Sequence, residues 1–348
     1  MTAAFGEFAS DGGSIHDFPI GDLMRPVRSI LPWFLLPAVF ALAGSVRAAE
    51  SFPNRPVSMV VPYSAGGSAD VVGRLVAAEM SKTLGENVVI ELRPGAGGNI
   101  GAELVARSAR PDGYTILLGS LSLSSNPSLM KLKFDPRKDL VAVAGLATLP
   151  NLMVTAVSSP YKTFKEAIAA ARQNPGKLTY GSSGLGTSSH LTGELLNAAA
   201  GIELLHVPYK GSGAVYPDLM ARRVDFLFDL AGSSAGYVQS SKVRALATTA
   251  PRRSAALPDV PTIAETFPGY EFGAYLALFA PAATPKEAIA RLEQAAAKAL
   301  QAPQVKERLA QMAAEPVPVS SSGFQKYFDN DVERFARLVR EGKLKPLQ

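Results

Sequence analysis

Two short segments rich in glycine and serine have the residue types needed to hold a small anion. The first is Pro62–Asp70 (PYSAGGSAD), which follows the apolar run Val57–Val61 and leads into an amphipathic segment. The second is Gly181–Ser189 (GSSGLGTSS), which also follows a strand-like segment. A loop that turns directly into a helix leaves several backbone N–H groups directed at one point. Neither segment contains Lys or Arg, so together they predict a site that holds a carboxylate through amides and hydroxyls.

The remaining motifs give little support to other chemistry. The segment 94–101 (PGAGGNIG) departs from the dinucleotide-binding pattern GxGxxG at Ile100, and no GxxxxGK[ST] phosphate loop occurs. This segment is either a tight turn before a helix or a ligand contact. A secreted serine hydrolase using Ser182 or Ser183 with His190 is an alternative, but the chain has no GxSxG nucleophile elbow. We therefore expect no catalytic residue and no enzyme.

The composition excludes several further kinds of site. The 348 residues include no cysteine, which excludes disulfides, thiolate catalysis and cysteine-ligated metals. They include three histidines. We expect no cofactor and no metal. The charges are dispersed without a basic run, which argues against a nucleic-acid partner. The length is sufficient for two domains.

The first residues have the pattern of a cleaved secretory signal. Two arginines precede the apolar segment Ile30–Ala43, and Val46-Arg47-Ala48 supplies the small residues that a signal peptidase reads. This pattern predicts a signal peptide over residues 1–48 with cleavage after Ala48. Because residues before Met24 are acidic rather than basic, we expect translation to start at Met24. An uncleaved membrane anchor is the alternative.

Strands and helices alternate along the rest of the chain. Hydrophobic patterns predict helices from Ser68 and Thr187 and strands at Val57–Val61, Val88–Ile90, Tyr114–Leu118, Leu178–Tyr180, Leu204–Val207, Asp225–Phe228 and Val243–Thr248. This order indicates open, mostly parallel sheets whose ligands bind at the carboxyl ends of strands. Capping boxes are predicted at Thr163/Glu166 and Thr284/Glu287. An apolar stripe on the last helix, including Phe324 and Phe328, is expected in the core.

Two long extended stretches do not fit this alternation. They are Val141–Val157 and Glu271–Pro281, which we interpret as connectors that cross between two lobes. A hinge-bending clamshell needs such crossings. The predicted division places residues 49–147 and 276–348 in lobe 1 and residues 148–275 in lobe 2.

Seven motifs resemble a known family in their order and spacing. They are PYSAGGSAD, RPGAGGNIGAELVARSARPDGYTILLGS, YGSSGLGTSSHL, VPYKGSG, RRVDFLFD, VRALATT and FAPAATP. They are similar to the extracytoplasmic solute receptors of tripartite tricarboxylate transporters, often called Bug receptors, from about Phe52 to the C-terminus. The resemblance implies an α/β fold of the two-lobed, type II periplasmic-binding-protein kind. Each lobe would be a mostly parallel sheet flanked by helices, with two crossing hinge segments.

The resemblance also implies a function and a set of ligand-binding residues. The expected function is that of a periplasmic, monomeric receptor that binds a small organic carboxylate or amino-acid-like ligand and delivers it to membrane transporter subunits. A sensor module for a membrane signalling partner is the alternative. Carried over by motif, the binding residues are Tyr63, Ser64, Ala65, Gly66, Gly67, Ser68, Asp70 and Ser120, then Ser182, Gly186, Thr187 and His190 on the opposite wall, with Tyr209 and Asp229 at the distal end.

Two features of the distal end leave ligand specificity open. Asp229 either pairs with a ligand amine or caps the turn that follows it. The loop Leu230–Ser234 (LAGSS) departs from the commoner Asn/Ser-Leu/Met-Pro of the family.

Overall fold

The computed structural model describes residues 52–254, 256–270, 272–315, 317 and 319–347. These residues fall within the unit Glu50–Gln348. The predicted signal peptide, its cleavage site and the alternative start at Met24 lie outside the described residues. None of the described helices has the length and hydrophobicity that crossing a bilayer requires.

The described strands form one sheet whose order is not that of the chain. They are β1 (Val57–Val61), β2 (Val88–Leu92), β3 (Thr115–Ser120), β4 (Leu140–Ala156), β5 (Thr179–Ser182), β6 (Leu205–Pro208), β7 (Phe226–Leu230), β8 (Val243–Thr248) and β9 (Gly273–Pro281). Their order is β2-β1-β3-β9-β4-β7-β5-β6, with β8 paired to β4. β1 is parallel to β2 and β3, and β5 is parallel to β6 and β7.

The long strand β4 connects two halves of this sheet. Its residues Leu140–Pro150 pair with β9, and its residues 151–156 pair with β7 and β8, all antiparallel. We call the side with β1, β2, β3 and β9 the first half and the side with β5 to β8 the second half. β4 thus belongs to both halves, whereas β9 pairs with strands of the first half and with β4. The lobe boundaries at 147/148 and 275/276 stay a prediction.

Helices cover both faces of the sheet. They are α1 (Ser68–Leu84), α2 (Asn99–Glu103), α3 (Ser122–Leu129), α4 (Pro136–Asp139), α5 (Phe164–Gln173), α6 (Ser188–Ala200), α7 (Tyr216–Met220), α8 (Ala231–Gln239), α9 (Lys286–Gln301), α10 (Pro303–Gln311) and α11 (Ser321–Arg340). The predicted start of α1 at Ser68 is confirmed, and the helix ends at Leu84, before Gly85, which adopts a left-handed φ of 79°. That conformation is available to glycine without a steric penalty.

One of the two predicted capping boxes is confirmed and the other is wrong. The Thr163 hydroxyl accepts a hydrogen bond from the Glu166 N–H at 3.2 Å, and the Glu166 carboxylate accepts from the Thr163 N–H at 3.2 Å. By contrast, α9 begins at Lys286 with Pro285 as its N-cap. Pro285 is extended rather than helical (ψ 140°), so Thr284 lies one residue too early to cap the helix.

Alternate side chains of the first half point to two separate cores. Val60, Leu117 and Phe279 face a core that includes α11, whereas the neighbouring Met59, Ile116 and Leu278 face a core formed with α1 and α9. The predicted apolar stripe on α11 is confirmed, because the fully buried ring of Phe324 packs edge-on against Tyr275 of β9 at 5.2 Å. This packing fixes β9 and the strands beside it, and thereby the loops at their ends.

Candidate functional site

A cavity of about 980 Å³ lies where loops that follow strands of both halves approach one another. Its lining includes residues from segments 62–69, 94–98, 183–189 and 208–214, which follow β1, β2, β5 and β6. Further lining residues lie at the ends of β3 and β7. The carboxyl ends of parallel strands therefore surround one space, as the βα alternation predicts. The segment 94–98, for which the sequence allowed either a turn or a ligand contact, lies in this lining.

The loop after β1 carries the N-terminus of α1 to the cavity. Gly67 is the N-cap, and the preceding Gly66, at φ 80°, donates its N–H to the Asp70 carboxylate at 2.9 Å. The Ser68 N–H and hydroxyl lie 3.2 Å and 2.9 Å from the hydroxyl oxygen of Ser233, which belongs to α8. The N-terminus of α1 is thus linked by hydrogen bonds to the second half.

The loop after β5 places the N-terminus of α6 at the same cavity. The Thr187 hydroxyl caps this helix by accepting from the His190 N–H at 3.5 Å, and it donates to the Gly184 carbonyl at 2.7 Å. The N–H groups of Ser188 and Ser189 belong to the first turn, where no intrahelical acceptor exists. Both residues line the cavity and are at least nine-tenths buried.

A third helix N-terminus and a tyrosine also contribute to the polar part of the lining. Leu230, the N-cap of α8, lies in the lining with Asp229. The Tyr63 hydroxyl is 2.5 Å from that of Ser120 and 3.0 Å from that of Ser122. The N-terminus of a helix carries a partial positive charge, so three helix N-termini favour an anion in this space.

The structure divides the fourteen predicted binding residues into two groups. Nine line the cavity: Tyr63, Ser64, Ala65, Gly67, Ser68, Ser120, Thr187, Tyr209 and Asp229. Five are absent from the lining, although they lie in or next to the segments that form it: Gly66, Asp70, Ser182, Gly186 and His190. Asp70 accepts the Gly66 N–H and pairs with Arg74 at 2.7 Å. That any of the fourteen contacts a ligand stays a prediction.

Sequence reasoning missed several lining residues. Lys131 and Lys210 lie in the lining, although their side chains are exposed to solvent, so the lining includes two cations that the loop sequences did not indicate. Ser233 and Leu347 also line the cavity. Ser233 lies in the segment Leu230–Ser234, which departs from the family pattern. That departure is the only sequence signal that pointed to Ser233.

The alternative of a hydrolase built on Ser182 and His190 does not match the observed pairing. The Ser182 hydroxyl is 2.6 Å from Nε2 of His206, whereas His190 accepts the Gly186 N–H through Nδ1 at 3.2 Å. Ser182 is fully buried and absent from the cavity lining. The two imidazole rings stack with centroids 4.1 Å apart. This cluster supports the loop that leads into α6.

Acidification is expected to destabilise the fold through these two histidines. Burial, with a further contribution from His206, lowers the pKa of His190 to about 3, and burial lowers that of His206 to about 4. The unfolded chain binds protons at these groups below about pH 6.5. Their stabilising effect is therefore complete above that pH and is lost as the pH falls towards 4. Asp229 opposes this trend, because burial raises its pKa to about 6.

Urea unfolding at pH 7, 6 and 5 measures this effect. We expect the free energy of unfolding to decrease as the pH is lowered from 7 to 5. His206→Gln should reduce the slope of this free energy against pH by up to about 1.4 kcal/mol per pH unit. Comparing slopes removes any constant loss of stability that the substitution causes. An unchanged slope in His206→Gln would contradict the assignment.

Comparison with known proteins places the chain among solute receptors. The model of the tripartite tricarboxylate transporter family receptor matches residues 72–344. A protein encoded in the tcbD-tcbE intergenic region of Pseudomonas sp. (strain P51) is 39% identical over 298 residues, which are 85% of this chain and 88% of that protein.

Solved structures with the same fold include proteins that hold dicarboxylates. The periplasmic binding protein BugD matches with a TM-score of 0.79 at 35% identity, covering 85% of this chain and all of BugD. R. palustris Rpa4515 with adipate matches with a TM-score of 0.80 at 34% identity, covering 85% of this chain and 100% of Rpa4515. MatC from Rhodopseudomonas palustris with bound malate matches with a TM-score of 0.78 at 33% identity, covering 83% of this chain and 100% of MatC. The predicted periplasmic-binding-protein fold is confirmed, and the chain belongs to the tripartite tricarboxylate transporter receptor family.

Proposed function

We propose that this protein is a periplasmic receptor that binds a small carboxylate in the cavity and delivers it to a tripartite tricarboxylate-type membrane transporter. The observation that carries the proposal is the convergence of the N-termini of α1, α6 and α8 on one cavity. The adipate and malate held by two relatives are ligands of the same chemical class. The predicted signal peptide supports export.

Backbone amides and hydroxyls suffice for the affinity such a receptor needs. A hydrogen bond to a charged group contributes roughly 1.5–3 kcal/mol, so four contribute on the order of 6–12 kcal/mol before ordering costs. Micromolar binding requires about 8 kcal/mol. The helix ends add to this sum. A guanidinium or ammonium group at the carboxylate is therefore not required.

Contacts across the cavity support a clamshell that closes on its ligand. Ser68 and Ser233 bridge the two halves, as does a 3.4 Å hydrogen bond from the Ser125 hydroxyl to the Gly186 carbonyl. Because β4 runs through both halves, we propose it as one of the crossing segments about which they move. The lobes would then be those predicted from the sequence.

Calorimetric titration with succinate, malate and adipate tests the proposal. We expect at least one acid to bind at a single site, and its dimethyl ester to bind at least about a hundredfold more weakly, because the ester lacks the charge that the helix ends stabilise. X-ray scattering should show a smaller radius of gyration with ligand. Failure of every carboxylate to bind, or equal binding of acid and ester, would contradict the proposal.

Delivery needs a separate measurement. Deleting the gene should abolish uptake of the bound acid into cells, and unchanged uptake would contradict the transport role.

A further inference from the structure

Two lysines lie at the opening of the cavity, on opposite sides of it. Lys131 follows α3 in the first half, Lys210 follows β6 in the second half, and both belong to the lining. Both residues are exposed, so they lie where the cavity meets solvent. Neither ammonium group forms an ion pair or a hydrogen bond with another described residue, in contrast to Lys82, which pairs with Glu79 at 2.6 Å.

The third charged residue among the described lining residues is Asp229, and it is buried. It is 3% exposed, and its oxygens accept hydrogen bonds from the Tyr216 hydroxyl and from the Leu230 N–H, both at 2.9 Å. Its carboxylate therefore belongs to the inner wall and caps the turn that follows it. The charge that the lining exposes at the opening is positive.

Unpaired cations at an opening act on an anion before it makes any contact. Their field extends over the Debye length, which is about 10 Å at 0.1 M ionic strength and about 30 Å at 0.01 M. A cleft lined by charge of one sign raises the association rate of an oppositely charged ligand by roughly 10- to 1000-fold, and salt weakens this effect. Cations that stay hydrated at the opening also avoid the free-energy cost of burying an ammonium group in the site.

We propose that Lys131 and Lys210 steer anionic ligands into the cavity and thereby set the rate at which the receptor is loaded. This inference rests on the proposed function, since the ligand steered is the small carboxylate. The helix N-termini hold the carboxylate once it has arrived. The lysines remain solvated at the opening, so they raise the association rate constant without prolonging the lifetime of the complex.

Stopped-flow mixing with succinate, malate and adipate tests the steering. Tyr63 and Tyr209 line the cavity, so tyrosine fluorescence follows binding. The association rate constant is measured where the observed rate rises linearly with ligand concentration. Lys131→Gln/Lys210→Gln should lower this constant at least about fivefold at 10 mM ionic strength and less than about twofold at 0.5 M. The dissociation rate constant should stay within about twofold of the wild type.

A matched double variant removes two positive charges from the opposite edge of the sheet. Lys177 precedes β5, whose carboxyl end leads to the cavity, and Lys286 follows β9, which ends beside the start of β3. Both residues are exposed. We expect Lys177→Gln/Lys286→Gln to associate within about twofold of the wild-type rate at 10 mM ionic strength. Equal losses in the two double variants would show that net charge acts regardless of its position, and would contradict the inference.

The remaining outcomes separate this inference from the proposed function. If Lys131→Gln/Lys210→Gln binds as fast as the wild type at 10 mM ionic strength, the inference is wrong and the carboxylate receptor stands. A faster dissociation with unchanged association would show that the lysines hold the bound ligand, and would also contradict steering. If none of the three acids binds, the proposed function fails together with the inference. The wild type alone gives a further test, because a rate constant that does not depend on ionic strength rules out steering even if the double variant does not fold.

Discussion

Replacing Ser188 by aspartate is expected to abolish carboxylate binding while leaving the fold intact. Ser188 is the first residue of α6, lines the cavity and is 8% exposed. An aspartate there would place a fixed negative charge at the helix end that the ligand occupies. Two like charges about 4 Å apart repel by about 4 kcal/mol at an effective dielectric of about 20. We therefore expect the affinity to fall by at least about a hundredfold.

Ser188→Asn is the matched control, because asparagine has nearly the shape of aspartate without its charge. We expect Asn to weaken binding by less than about tenfold. The thermal midpoint of Ser188→Asp should be unchanged or raised, since an acidic residue in the first turn interacts favourably with the helix dipole. Calorimetric titration and thermal unfolding give both quantities. Equal losses of affinity in the two variants would show that the size of the new side chain, not its charge, weakens binding. That result would contradict an anion site at α6.

Replacing Gly186 by alanine is expected to prevent the two halves from closing. An added Cβ would lie 2.3 Å from Oδ1 and 3.0 Å from Cγ of Asn126, which belongs to α3 of the first half. Asn126 is fully buried and donates to Asn99 at 3.0 Å, so it cannot move aside freely. We expect at least about tenfold weaker ligand binding. The ligand-induced decrease in the radius of gyration should also be lost.

Gly201→Ala separates closure from backbone strain. Both glycines have left-handed backbones, with φ 73° at Gly186 and 59° at Gly201, so alanine costs about 1 kcal/mol of conformational energy at either. Nothing lies within 4 Å of a Cβ at Gly201. Gly201→Ala should therefore bind ligand like the wild type. Adding Asn126→Ala to Gly186→Ala should restore part of the affinity. Unchanged binding in Gly186→Ala would remove the case for closure at this contact.

Local sequence patterns predicted the elements that form the site. The run Val57–Val61 is confirmed as β1, and the helices after the two glycine-rich loops begin at Ser68 and Ser188. Hydrogen-bonding partners within a few residues decide such features, so they can be read from nearby sequence. The Thr284 cap failed because the backbone at Pro285 is extended, which the residue types alone do not reveal.

Side-chain roles inside the loops could not be predicted in the same way. His190 and Asp70 have residue types suited to a ligand, yet each bonds a backbone N–H four residues earlier and supports its own loop. The observed Ser182–His206 pair joins two adjacent parallel strands, β5 and β6. Strand neighbours of this kind depend on sheet order, and the pattern of apolar residues does not specify it.

The sequence by itself determined that two strand–loop–helix units without basic residues would offer amide N–H groups to an anion. Only the tertiary structure decided which other groups share that space. Ser233 meets Ser68 across 165 positions, and Lys210, Leu347 and Asp229 reach the same cavity from separate parts of the chain. The physical reason is that helix ends arise from short-range hydrogen bonding. The contacts between distant segments depend instead on β4 joining the two halves of the sheet and on the packing of both cores.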